Sequence, residues 1–180
     1  MHVLAPLKPP YSREAAEILS GYPRQEGYLL TLFRTFANST RFLRKGVVNL
    51  LDKESPLPLR QREIVILRTT AKRDCEYEWG VHVAIFARAA GLTADQIAAT
   101  RLGSADAPCW PSNEGLLIAV VDELCTDARI ADATLAKVQA TWTREQQLEI
   151  LALVGNYHTV SFVANTARLA PEGFAARFPI

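Results

Sequence analysis

Apolar residues recur at three- and four-residue spacing along most of the chain, while few stretches show the strict alternation of a half-buried strand. The pattern predicts helices almost throughout. One starts after Ser12 as its cap and ends near Gly21; Tyr28, Leu29, Leu32, Phe33 and Phe36 then mark a second apolar face. A third helix is expected through Phe42, Leu43, Val47, Leu50 and Leu51, ending at Glu54-Ser55-Pro56. Pro56-Leu57-Pro58 breaks the chain and sets up a helix over about 59–72, with Ile64, Ile66 and Leu67 inward. Asp74 is the expected cap of the next, over about 75–90, which Gly91 stops. Thr93-Ala94-Asp95-Gln96 and Thr143-Arg144-Glu145-Gln146 are capping boxes, the second opening the longest segment, 144 to about 169, closed by Pro171. Between them lie a loop over 101–111, a strongly apolar helix from Ser112 to about 127, and another opened by Asp132. Residues 1–11, with Pro6, Pro9 and Pro10, read as an extended arm on a surface or a neighbouring subunit. The expected fold class is all-α, a bundle of about seven to nine helices in a single domain over 1–180.

Composition adds mainly exclusions. Twenty basic and nineteen acidic side chains leave a net charge of +1, so no overall charge favours nucleic acid or an anionic membrane. The longest apolar runs, such as Leu116–Val121, fall far short of the roughly twenty residues that cross a bilayer. Met1–Pro6 has neither a basic start nor a signal-length apolar core, and three irregularly spaced cysteines argue against a disulfide framework. A cytoplasmic location is expected.

The chemistry concentrates in Cys75-Glu76-Tyr77-Glu78-Trp79-Gly80-Val81-His82. At about 100° per residue, Glu78 and His82 stand one turn apart on one helix face, and Cys75 falls on the same stripe. Glu63 on the preceding helix lies about as far before the connecting turn as His82 lies after it, so the two can meet at one height. A Glu–His pair at this spacing also occurs as a plain surface pair, and a lone Cys often only fills space. Trp79 and Phe86 nearby point instead to a partly apolar cavity, where a carboxylate–imidazole set suits proton transfer. Further pocket candidates are Tyr77, Trp79, Arg62, Arg68 and His158, the two arginines as holders of a substrate carboxylate. Asn156-Tyr157-His158 interrupts an apolar helix and needs partners, either a structural hydrogen-bonded cluster or a contribution to the pocket. Cys109 and Cys125 have no nearby His or Lys. No tight ligand spacing is present, so neither metal nor cofactor is expected.

Arg62-Glu63, then Cys75-x-Tyr77-Glu78-Trp79-x-x-His82 and Ala90-Gly91-Leu92-Thr93, resembles the carboxymuconolactone decarboxylase and alkylhydroperoxidase D-like superfamily over about residues 55–130. The resemblance implies an all-α bundle that forms closed homo-oligomers, as trimer, hexamer or dimer. Its peroxidase branch carries a Glu, a Cys-x-x-Cys pair and a His. Laid on this sequence, these match Glu63, Cys75 and His82, while the second, peroxide-reacting Cys falls on Glu78. The decarboxylase branch lacks the Cys pair and keeps Glu-x-x-x-His, as Glu78 and His82 do here. The implied activity is that of a lyase: acid–base chemistry on a small carboxylate or lactone, with Glu63, Glu78 and His82 catalytic. Two alternatives stand beside it. One is a single-thiol, peroxidase-like antioxidant (peroxiredoxin-type) protein using Cys75; the other is a non-catalytic oligomeric binder of a small molecule.

Overall fold

A computed structural model describes residues 4–180, which contain nine helices and no strand beyond one isolated bridge between Gln25 and Tyr28. The helices are α1 (Arg13–Ser20), α2 (Thr31–Phe36), α3 (Thr40–Lys45), α4 (Leu59–Lys72), α5 (Glu76–Phe86), α6 (Ala94–Leu102), α7 (Ser112–Asp127), α8 (Asp132–Thr141) and α9 (Arg144–Thr166). The all-helical class expected from periodicity is the class observed.

The bundle is organised around α4, which packs against α5, α6, α7 and α9. Every residue from Glu63 to Ala71 is buried, so this helix has no solvent face along that stretch. Ile64, Val65, Ile66 and Leu67 are fully buried there, each worth about 1.5–3 kcal/mol of transfer free energy. Threonines in such a helix must satisfy their hydroxyls locally: Thr69 Oγ1 donates to Val65 O and Thr70 Oγ1 to Ile66 O. Glu63 has no such local remedy. A carboxylate at the centre of a bundle needs a partner from another helix, and α5 supplies it.

Both capping boxes form, at Thr93 with Gln96 and at Thr143 with Gln146. Several boundaries differ from the sequence expectation. The third helix ends at Lys45, and Val47, Leu50 and Leu51 pack against the core from an irregular segment instead. Cys75, not Asp74, occupies the cap position of α5, and Asp74 sits in the left-handed region (φ 52°) with its carboxylate on Arg101 at 2.7 Å. Pro111 precedes the first residue of α7, Ser112, which does not cap it. α5 ends at Phe86, short of the expected 90, and Gly91, at φ 65°, closes the turn that follows; its N–H bonds Arg88 O and that of Leu92 bonds Ala87 O.

The proline-rich arm lies on its own chain. Leu7 N donates to Arg34 O on α2, and Asn38 Nδ2 donates to Ala5 O. Residues 1–3 of that expected arm lie outside the described residues.

The segment after α9, which carries no periodicity, closes the other side of α5. Glu172 accepts hydrogen bonds from Thr31 N (2.7 Å), Tyr28 Oη (3.1 Å) and Tyr77 Oη. Further along, Ala176 N donates to Gly80 O at 3.1 Å, and Phe178 packs on Trp79 with ring centroids 5.2 Å apart. Gly80 permits this approach: a Cβ there would run into the Ala176 carbonyl oxygen.

Candidate active site

Three helices bring the site together. α4 contributes Glu63; α5 contributes Cys75 at its cap and Glu78 and His82 one turn apart; α9 contributes Tyr157 and Ser161, also one turn apart. All six are buried, Glu63, Cys75 and Ser161 fully. His82 is the hub. Its Nδ1 lies 2.8 Å from Glu63 Oε2, its Nε2 3.0 Å from Tyr157 Oη, and the same Nε2 is 3.4 Å from Glu78 Oε1. The imidazole thus stands between two carboxylates, one at each ring nitrogen. The Tyr157 ring meets it edge-on and Phe86 packs against it, both with centroids 5.1 Å away.

Electrostatics follow from this enclosure. Burial alone would push His82 toward the neutral form, but the charge and hydrogen bond of Glu63, followed by those of Glu78, outweigh it and raise its pKa to about 10. Near neutral pH the ring is therefore an imidazolium, with both N–H groups donating. Tyr157 is held protonated, well above the usual phenol range, by burial and by the charges of Glu78 and Glu63. Cys75 is pushed up to about 11, chiefly by burial and also by the Glu78 and Asp74 charges; the Glu78 backbone N–H and the Ser161 hydroxyl offset this only in part. A thiol in that state is a poor nucleophile and a poor thiolate source at neutral pH.

Glu63 Oε1 and Glu78 Oε2 are buried without a hydrogen-bond partner. Each unsatisfied buried polar atom costs about 1–3 kcal/mol, so two of them on the carboxylates that flank one imidazole make this cluster the candidate site. Among the described residues no group of three or more His, Cys, Asp or Glu side chains is arranged to hold a metal ion.

The remaining pocket candidates lie elsewhere. Tyr77 turns to the C-terminal segment, its hydroxyl donating to Glu172 and accepting from Leu32 N at 3.0 Å. Trp79 faces α6 and Phe178, with Nε1 on Thr100 Oγ1 at 2.9 Å. Arg62 reaches the Leu50 and Asp52 carbonyls. Arg68 is turned to other partners: its guanidinium grips both oxygens of Asp122 at 2.7 Å and the Thr100 and Gly103 carbonyls. His158 bonds Val154 O on its own helix, half-buried and rotated away from His82. The α9 residues in the site are its neighbour Tyr157 and Ser161. The signal for them was the phase of the buried stripe Ile150, Leu153, Val154, Tyr157, Val160, Ser161, Ala164, into which Tyr157 falls and His158 does not. Cys109 and Cys125 are free thiols outside the site.

Residues 39–123 match the carboxymuconolactone decarboxylase family. No curated protein matches the sequence. Among solved structures, an uncharacterized peroxidase-related protein from Silicibacter sp. TM1040 superimposes with a TM-score of 0.78 at 16% identity, covering 98% of this chain and 97% of that one. A protein of unknown function from Agrobacterium tumefaciens, described as a candidate antioxidant defence protein AhpD, gives a TM-score of 0.61 at 20% identity over 67% of this chain and 82% of its own. The matched segment runs from α3 into α7, a little under half of the chain, and the fold is shared almost end to end with the first of these structures, so over that segment the chain is similar to the carboxymuconolactone decarboxylase family.

Proposed function

We propose that the protein is a carboxy-lyase-like enzyme that moves a proton through Glu63, His82 and Glu78 while acting on a small carboxylate or lactone. The observation that carries this reading is the imidazole clamped between two carboxylates, beside a cysteine that burial keeps as a thiol. In a decarboxylation, the bond to the leaving carboxylate breaks, carbon dioxide departs, and the electron pair stays on carbon as an enolate-type anion. That carbon must then receive one proton. Nε2–H of the His82 imidazolium faces Glu78 and Tyr157, so its proton passes by way of Glu78 to the carbon while Glu63 steadies the charge at Nδ1, and a proton from water then restores the imidazolium. Cys75 takes no part in these steps.

The single-thiol reading draws support from the peroxidase-related and antioxidant descriptions of the two structural relatives. The geometry weighs against it. Peroxide attack would need the Cys75 thiolate, formation of a sulfenic acid with loss of water or alcohol, and an external thiol to reduce it; the thiol is fully buried and its pKa is raised. Position 78, where the peroxidase branch has its reacting sulfur, holds a carboxylate.

We also propose that the chain forms a homo-oligomer. Leu148, Leu151 and Phe162 of α9 leave a row of large apolar side chains in water. No helix among the described residues is long and apolar enough to cross a membrane, so this row is not part of a span.

The test of function is turnover on a panel of carboxylated lactones and small carboxylic acids by the native protein and His82→Ala. Loss of activity in the variant, with the helix content unchanged, supports the reading; equal activity in both overturns it.

A further inference from the structure

A cavity of about 360 Å³ opens between the first turn of α5 and the C-terminal end of α9. Tyr77, Ala164, Leu169 and Pro171 give it apolar walls, and Asp74, Glu76, Asn165 and Arg168 its polar rim. The two rim carboxylates are already paired, Asp74 with Arg101 at 2.7 Å and Glu76 with Arg177 at 3.4 Å and with Phe178 N at 2.9 Å. Asn165 Nδ2 is spent on Arg73 O. Arg168 alone, among the described residues on this rim, has a charge with no ion pair.

The backbone makes Arg168 conspicuous for a second reason. Its N–H bonds Asn165 O and the N–H of Leu169 bonds Ala164 O, the double hydrogen bond that ends a helix with a left-handed residue. Arg168 sits at that position with φ 52°, where glycine is the unstrained choice. An arginine held in a glycine conformation at the edge of a cavity suggests a use for the side chain beyond the turn itself.

We propose that this cavity is the recognition site for a monoanionic carboxylate on an otherwise apolar small molecule, with Arg168 as its charge partner. A carboxylate suits one planar guanidinium, whereas the second charge of a phosphate monoester would face Asp74 and Glu76. This binding does not depend on the acid–base reading above.

Benzoate, with benzamide as its neutral isostere, is the probe. Titrated into the ¹⁵N-labelled full chain, benzoate is expected to shift the amides of 74–77 and 164–171 saturably. Benzamide, and benzoate added to Arg168→Gly, should bind about ten-fold more weakly, while Arg168→Lys keeps part of the affinity. The glycine variant should unfold at the same temperature as the native protein or a higher one, because it relieves the backbone. Shifts confined to other segments, equal binding of benzamide, or unchanged affinity in Arg168→Gly would each overturn the proposal. So would a lower unfolding temperature in that variant with binding intact, which would make Arg168 a helix-end residue only. Because this readout needs no turnover, an inactive protein that binds benzoate here would defeat the acid–base reading and leave the site standing.

Discussion

Replacing Glu63 by Gln keeps the shape of the side chain and one hydrogen bond to His82 but removes the charge that most raises the imidazole pKa. In the native protein His82 has a folded pKa of about 10 against its ordinary value near 6.5. A histidine whose pKa is raised by folding contributes stability that is fully present below the unfolded value, and that contribution is lost as pH rises through the folded value. The window for this protein is therefore about pH 6.5 to 10, with a slope of at most about 1.4 kcal/mol per pH unit from this one proton. With Glu63 neutralised, burial, the largest single influence on the ring, is opposed only by Glu78. The folded pKa should fall and the alkaline slope between pH 7 and 9 should shrink. Urea unfolding of native protein and Glu63→Gln at half-unit pH steps measures the difference, and other titrating groups cancel to first order in the comparison. Removing the charge at fixed pH 7 should cost about 3 kcal/mol, the lower end for breaking a buried ion pair. Identical slopes in the two proteins, or a native His82 ring signal titrating near 6.5, would refute the electrostatic description of the site.

Cys75 should resist thiol reagents in the folded protein at pH 7 while Cys109 and Cys125, partly exposed, react first; labelling of Cys75 at the rate of a free thiol would contradict its burial. Tyr157→Phe should leave folding nearly intact but lower kcat more than KM changes, since it removes a hydroxyl from His82 Nε2 without opening a cavity; an unchanged kcat would make Tyr157 a packing residue. Gly80→Ala should detach the 172–178 segment and lower stability by about 1–3 kcal/mol, read as earlier thermal unfolding, because the new Cβ collides with the Ala176 carbonyl; no change would mean the segment does not hold α5. Sedimentation equilibrium at micromolar concentration should show an assembly larger than one 19.9 kDa chain, and Phe162→Glu should weaken it; a monomer would refute the assembly.

How much of this was legible in the sequence varies by residue. The pairing of Glu63 with His82 followed from helix periodicity and the length of the turn at Lys72-Arg73-Asp74, because those are local quantities. Both capping boxes were equally local. The Arg68 ion pair is not legible in the sequence, because its partner, Asp122, lies 54 residues away on α7 and nothing in the local pattern announces it. Within Asn156-Tyr157-His158 the helix phase separates the members: Tyr157 and His158 differ by about 100° and only Tyr157 shares the phase of the buried stripe. The side chains of Tyr77 and Trp79 were drawn away from the site by Glu172, Thr100 and Phe178, and the segment that carries Glu172 and Phe178 has no periodicity to predict it.

The account stands most directly on which group at the site does chemistry, Glu78 or Cys75. One measurement separates them: carbon dioxide release from a carboxylated lactone in D₂O, followed for native protein, Glu78→Gln and Cys75→Ser. The account predicts one deuterium in each product molecule, a loss of about 10²-fold or more in Glu78→Gln, and a rate in Cys75→Ser within about two-fold of native. A Cys75→Ser protein that is inactive while Glu78→Gln turns over normally would contradict it.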